Sequence, residues 1–242
     1  MKPHFWKIIL FQEFPVRPFL INYNQKFINN SFEPYQNNGG TIISISLEDF
    51  SIIASDTRIT SGFSIPVRNA IRIVKISENI LLSTSGMQVD MLILQEELKK
   101  SVSLWESENK KNISVSGGAY FLSSILYSRR FFPYYTFNIL SGKELDGRIK
   151  SFSFDAVGSF EFCSGASSGS GQLFIQPILD SNINWYSLKP ESKKQKILKK
   201  LIMIKHLFLK ISKRNIEIGD GVQIFLFTRK GILVENNVLK CD

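Results

Sequence analysis

Residues 38–58 read NGGTIISISLEDFSIIASDTR, and the fold turns on how this stretch divides. Thr41–Ser46 and Phe50–Ser55 are short runs rich in isoleucine, and the acidic Leu47-Glu48-Asp49 between them is a turn signal. The reading is two strands of one hairpin.

Outward from this hairpin, further apolar or alternating runs lie at 71–76, 79–85, 134–141, 149–154, 158–163, 222–228 and 232–236, most of them separated by turn residues. Helical spacing appears at 87–108, where Met91, Leu92, Leu94, Leu98 and Val102 form the inward set, and again at 116–130. A third helix is expected over 168–179, with the run Ser164–Gly171 as the loop that enters it. The fourth spans 189–214, KPESKKQKILKKLIMIKHLFLKISKR, with Ile197, Leu201, Ile204, Leu207, Phe208 and Ile211 three or four apart. Four helices among roughly ten strands suggest two packed sheets with helices outside. No fixed-period repeat interrupts this pattern.

Composition narrows the function classes. A chain of 242 residues, 43% hydrophobic, with no marked linker, is read as one domain. Cys163 and Cys241 are too few and too far apart for a disulfide framework, and with His4 and His206 they complete no metal-ligand cluster. A reducing compartment and no metal or cofactor are expected. The apolar runs, such as Ile42–Ile45, fall short of the roughly 20 residues that cross a bilayer, so a soluble chain without a membrane partner is expected. Near the start, Ile8–Phe11 could belong to a signal peptide, but Glu13, Pro15 and Pro18 break the run and no small-residue cleavage site follows. A removable pro-segment or extension explains the same composition.

The net charge of +9 raises nucleic acid or membrane binding as classes. Most of the excess sits in the 189–214 helix, whose basic face could meet calmodulin, anionic lipid or RNA. A charged outer face is also what any core-packed surface helix presents, and no aromatic-interleaved RNA-binding stripe accompanies it. No nucleic-acid partner is expected.

Gly39-Gly40-Thr41 at the head of the first strand, with Asp56-Thr57-Arg58 closing the second, resembles the layout of N-terminal threonine hydrolases. In that chemistry a chain is cut before a threonine, and the freed amine helps the hydroxyl attack a carbonyl. The stretches Tyr127–Tyr135 (YSRRFFPYY), Ser153–Ser159 (SFDAVGS), Gly219–Ile224 (GDGVQI) and Thr228–Gly231 (TRKG), together with NGGTI and ASDTR, resemble proteasome beta subunits from about Ser31 to Asp242, type 6 most closely. Ala156, where proline is expected, and the lysine-rich stretch before the last helix depart from that pattern.

The resemblance implies an α+β fold, the four-layer α-β-β-α sandwich of the N-terminal-nucleophile class. It also implies partners: the other alpha and beta subunits of a four-ring, 28-subunit particle in cytoplasm and nucleus, serving ATP- and ubiquitin-dependent protein degradation. Residues 1–30 become a propeptide, cut near Asn30-Ser31 by a neighbouring subunit, or a retained arm.

Residue by residue, the resemblance implies a degenerate site. The nucleophile lies sixteen positions before the aspartate that matches Asp56, which is Gly40. Thr41 stands one place late, and on a strand that turns its side chain to the opposite face unless a bulge intervenes. The expected lysine is Arg72, which stays charged and cannot exchange protons as lysine can. The supporting aspartate and serine appear as Asn215 and Ile218, and Ser170 matches the remaining serine. Asp56 survives, and could simply tie down the hairpin end. The expected function is a non-catalytic wall subunit. The alternatives are a protease self-processed between Gly40 and Thr41, and a stand-alone basic binding module.

Overall fold

The structure, a computed structural model, describes residues 33–183 and 192–239. The expected extension at 1–30, its cleavage at Asn30-Ser31, His4 and Cys241 lie outside the described residues.

The first hairpin joins β1 (Thr41–Leu47) to β2 (Phe50–Asp56), with Leu47 paired to Phe50 across the turn. On its far side β2 pairs with β11 (Gly221–Thr228), which pairs with β12 (Gly231–Val238). The other flank of β1 is covered by β10 (Gly165–Gly169), so the order of this antiparallel sheet is β10-β1-β2-β11-β12. A second antiparallel sheet runs in sequence order: β5 (Ile73–Ser77), β6 (Ile80–Gly86), β7 (Thr136–Lys143), β8 (Ile149–Phe154) and β9 (Phe160–Phe162). A separate two-stranded ribbon is made by β3 (Ile59–Ser61) and β4 (Ser64–Val67). From Tyr35 onward the chain forms one compact unit.

Side-chain alternation builds the layers. On β1, Ile43 and Ile45 join a core with Ile175 and Leu179 of α3 (Gln172–Ile183) and Ile204, Phe208 and Ile211 of α4 (Lys193–Ile211). Ile42, between them in sequence, points the other way and meets Ile139 of the second sheet. Leu81 of β6 meets Ile53 of β2 in the same inter-sheet space. Its neighbours Ile80 and Leu82 pack under Leu94, Leu98 and Val102 of α1 (Gln88–Asn109) and Ala119, Leu122 and Leu126 of α2 (Val115–Ser128). The result is the four-layer α-β-β-α sandwich. The central strands β1, β2 and β6 are buried on both faces, which is why isoleucines and leucines stand on both sides of them.

Four serines occupy the middle of the inter-sheet space. Ser44 Oγ donates to Ser151 Oγ at 2.9 Å, Ser141 and Ser151 lie 2.7 Å apart, and Ser51 lies 3.4 Å from Ser151. All four are fully buried. Hydroxyls that satisfy one another avoid the desolvation cost of a lone buried polar group.

The structure departs from the sequence reading in four places. The loop expected at Ser164–Gly171 holds β10, paired with β1 from Thr41↔Gly169 to Ile45↔Gly165, and the third helix starts at Gln172 rather than 168. Small residues such as Ala166 and Ser167 have little strand preference of their own; the open edge of β1 supplies it. Leu92 is 52% exposed, because the stripe Met91, Leu94, Gln95, Leu98 and Val102 already fills the face that meets the sheet. The fourth helix starts at Lys193, set by a capping box in which Ser192 Oγ accepts from Gln195 N–H and Gln195 returns the bond, and it ends at Ile211. The β3–β4 ribbon had no apolar run to announce it.

Candidate functional site

The head of β1 and the end of β2 lie side by side, and the chain returns to this place with Arg72, with the β10–α3 turn and with the loop before β11. All seven residues singled out from the sequence meet here. Thr41 N–H donates to Asp56 Oδ1 at 2.7 Å. Arg72 Nε lies 3.5 Å from the same oxygen, and both side chains are fully buried. Asp56 is raised from its ordinary 3.8 to about 6: desolvation pushes it up, and the Arg72 charge and the Thr41 N–H only partly offset that. Asp56 Oδ2 and Arg72 Nε find no hydrogen-bond partner among the described residues.

Arg72 reaches across the site. Its Nη2 donates to Arg58 O at 2.5 Å, and its Nη1 lies 3.7 Å from Met91 Sδ. The guanidinium covers Gly40 so closely that a Cβ there would stand 2.1 Å from Arg72 Cζ. With φ at +89°, position 40 also has a backbone that side chains rarely adopt. No side chain, and therefore no nucleophile, fits at Gly40 while Arg72 stays in place.

Thr41 has turned away. The pairings of β1 with β2 and with β10 run in register from Ile42 and Thr41 onward, with no bulge. The Thr41 hydroxyl oxygen accepts from Gly171 N–H at 2.9 Å and lies 3.4 Å from Ser170 Oγ. Gly171 is hemmed in by this hydroxyl and by Ile218 Cδ1, at 2.8 and 2.9 Å from the place of a Cβ. Ile218 belongs to the same buried cluster as Ile43 and α4. Thr41 thus faces the α3/α4 layer. Ser170 N–H donates to Gly40 O, and Asn215 Nδ2 holds Ser170 O at 3.2 Å. Asn215 Oδ1 accepts from Glu217 N–H, so the amide ties a loop rather than supplying a charge.

Three partners were not legible beforehand: Met91 against Arg72, the Gly171 amide on Thr41, and the pairing of Arg58 with Asp220. The last joins two motifs quoted separately, ASDTR and GDGVQI. Arg58 Nε and Nη2 donate to the two oxygens of Asp220 at 2.8 and 3.2 Å, and Arg68 Nη1 donates to one of them at 2.5 Å. Burial works against ionised Asp220, but these bonds outweigh it and hold its carboxyl below the usual value. Thr57 N–H also donates to Gly221 O at 3.0 Å, so the two motifs form one structural clasp.

The remaining motifs are scaffold. Asp155 Oδ1 accepts the amides of Val157, Gly158 and Ser159, closing a turn that Ser123 Oγ of α2 grips through Gly158 O. Ala156, the departure from the expected proline, lies in this turn. In the Tyr127–Tyr135 stretch, Tyr134 hydroxyl donates to Glu97 and Tyr135 N–H to Asp90, which fastens the start of β7 to α1. Cys163 is half-buried with its thiol pushed up to about 12 by burial. Among the described residues no group of three His, Cys, Asp or Glu is placed to hold a metal, and no helix is long and apolar enough to cross a membrane.

With this geometry in view, comparison with known proteins decides the family. The family model described as proteasome subunit matches residues 36–219. The chain belongs to the proteasome beta-subunit family. It is 33% identical over 216 residues to the proteasome subunit beta type-1-B of Carassius auratus, covering 89% of this chain and 91% of that one. It is 36% identical over 217 residues to the beta type-1 subunit of Arabidopsis thaliana, covering 88% and 97%. The beta type-6 subunit of Saccharomyces cerevisiae is 34% identical over 225 residues, covering 89% and 93%. The four-layer sandwich is the fold of this proteasome family.

Proposed function

We propose that this proteasome beta subunit is a non-catalytic member of the 20S core, completing its ring and supporting degradation by its neighbours. The observation that carries the reading is the Arg72 guanidinium filling the space that a side chain at Gly40 would need. A charge that cannot exchange protons stands where the chemistry requires a nucleophile and a tunable amine. Asn215 and Ile218 remove a negative charge and a hydroxyl from the same place. A set that works as a unit loses nearly all its effect when single members go.

The same proposal includes assembly with other alpha and beta subunits in a 28-subunit particle, service in ATP- and ubiquitin-dependent degradation, and residence in cytoplasm and nucleus. It also includes removal of residues 1–30 near Asn30-Ser31. In a ring, each subunit offers two different surfaces to its neighbours, so a member without a nucleophile still completes the structure.

The bond from Thr41 N–H to Asp56 is the one observation that favours the rival, a protease self-cut between Gly40 and Thr41. Against it stand the unbroken β1 register and a hydroxyl that accepts from Gly171 beside a methyl of Ile218. The test is the intact mass of the chain from particles treated with a threonine-directed electrophile. A chain that begins near Ser31 and carries no adduct is expected. A chain that begins at Thr41 with one adduct overturns the proposal, and recovery as a free monomer would favour a basic binding module instead.

A further inference from the structure

Upstream of Gly40 the chain is fastened to the body by a series of bonds that the missing catalytic residues do not explain. The Tyr35 ring stacks on Phe132 at 5.2 Å between centroids, lies 5.7 Å from Tyr135, and its hydroxyl donates to Pro133 O at 2.7 Å. Gln36 Nε2 donates to Ser61 Oγ of β3. Asn38, 7% exposed, makes three bonds. Its backbone oxygen accepts from Thr60 N–H at 3.2 Å, its Nδ2 donates to Thr60 O at 3.1 Å, and its Oδ1 accepts from Gln88 N–H at 2.9 Å.

Gln88 is the first residue of α1, and the cap position Met87 offers no side-chain acceptor. The start of a helix leaves amides unpaired. Asn38 therefore does the work of a capping side chain from fifty residues away. Gly39, at φ +65°, is wedged so that a Cβ would stand 2.8 Å from Thr60 Oγ1 and 3.0 Å from Glu217 Cβ. Gly40 O is taken by Ser170 N–H at 3.0 Å.

We infer that Tyr35–Gly40 is an intramolecular strap that closes the degenerate site and fixes where removal of the upstream segment stops. A free amine at position 40 or 41 could appear only if the strap were lifted from β3, α1 and the Pro133 turn together. The strap would thus keep the site shut even if the nucleophile and its lysine were put back. A protease needs its substrate extended and released from its own bonds, so cleavage inside the strap requires local opening. Cleavage before Tyr35 does not, because Glu33 and Pro34 are exposed. This goes beyond the non-catalytic reading, and its failure can be told from the failure of that reading.

The test uses particles carrying the full chain, with the N-terminus read by intact mass and amide exchange followed at Thr60 and Gln88. The native chain is expected to begin upstream of Tyr35, with both amides protected. Asn38→Ala should exchange about tenfold faster or more at Gln88 and Thr60, and yield N-termini running down to Gly40. Asn38→Asp keeps the acceptor for Gln88 N–H and loses the donor to Thr60 O, so it should restore protection at Gln88. If Asn38→Ala fails to assemble, Tyr35→Ala serves: its N-termini should advance only to Gln36 or Asn37, with Gln88 still protected. Native N-termini scattered between Tyr35 and Gly40, Asn38→Ala amides that exchange at the native rate, or a Tyr35→Ala chain whose N-terminus stays upstream of position 35, overturn the strap alone. A native chain that begins at Thr41 overturns the non-catalytic reading as well.

Discussion

Two buried arginines fourteen residues apart meet their carboxylates in different ways. Arg58 grips both oxygens of Asp220, as its planar fork allows, and the carboxyl is held ionised. Arg72 lies beside one oxygen of Asp56 at 3.5 Å, leaves Asp56 Oδ2 and its own Nε without hydrogen-bond partners among the described residues, and Asp56 rises to about 6. The first pair is built as a clasp between β2 and the approach to β11. In the second, a guanidinium occupies space more than it satisfies charge.

That contrast orders the expected effects. Asp220→Ala should be the most damaging, because it strands the buried Arg58 charge; a loss of about 3–5 kcal/mol is expected in urea unfolding of the full chain. If the loss is under about 1 kcal/mol, the clasp is no stronger than the site pair.

Gly40→Ala forces a Cβ against the Arg72 guanidinium at a positive φ and should cost about 1–3 kcal/mol or more. Paired with Arg72→Ala, it should recover part of that cost. Strict additivity in the double-mutant cycle would mean that Arg72 does not occupy the position-40 space.

The pH dependence has a defined sign. Asp56 is raised in the folded chain, from 3.8 to about 6, so the folded state binds its proton first. Its contribution to stability therefore falls as pH rises through that window and grows as pH drops from 7.5 to 5. Wild type should gain on Asp56→Asn over this range, by about 1.4 kcal/mol. A flat difference would show that Asp56 is paired as well as Asp220 is. Asp220, held low, should act in the opposite direction, losing its contribution only at pH below the ordinary aspartate value.

The smallest effect is expected for Asp56→Asn combined with Arg72→Met. Replacing both partners of a poorly satisfied buried pair with neutral groups is often neutral, so a change within about 1 kcal/mol is expected. A larger loss would make this pair a second clasp.

The fold was legible where a strand or helix carried its own signal. The isoleucine runs of β1 and β2, with a two-residue acidic turn, announced the hairpin, and the spacing from Met91 to Val102 announced α1. β10 was not legible, because Gly165–Gly169 has the composition of a loop and becomes a strand only against the open edge of β1. The β3–β4 ribbon was silent because its strands are only 3 and 4 residues long and Pro66 interrupts the second. At the site, the resemblance to the family, carried over position by position, picked out Gly40, Thr41, Asp56, Arg72, Ser170, Asn215 and Ile218 as neighbours. It could not give the use Arg72 makes of Gly40, the Gly171 amide on Thr41, or the cap that Asn38 lends to α1, since each joins residues distant in the chain.

The sequence by itself determined the family and the kinds of residue at the site, because motifs and their spacing are carried by the chain in one dimension. The tertiary structure alone decided that Arg72 fills the space above Gly40 and that the Thr41 hydroxyl turns toward α3 and α4. Both depend on which way side chains leave a strand and how much room the opposite layer leaves them, and only the packed sandwich sets those distances.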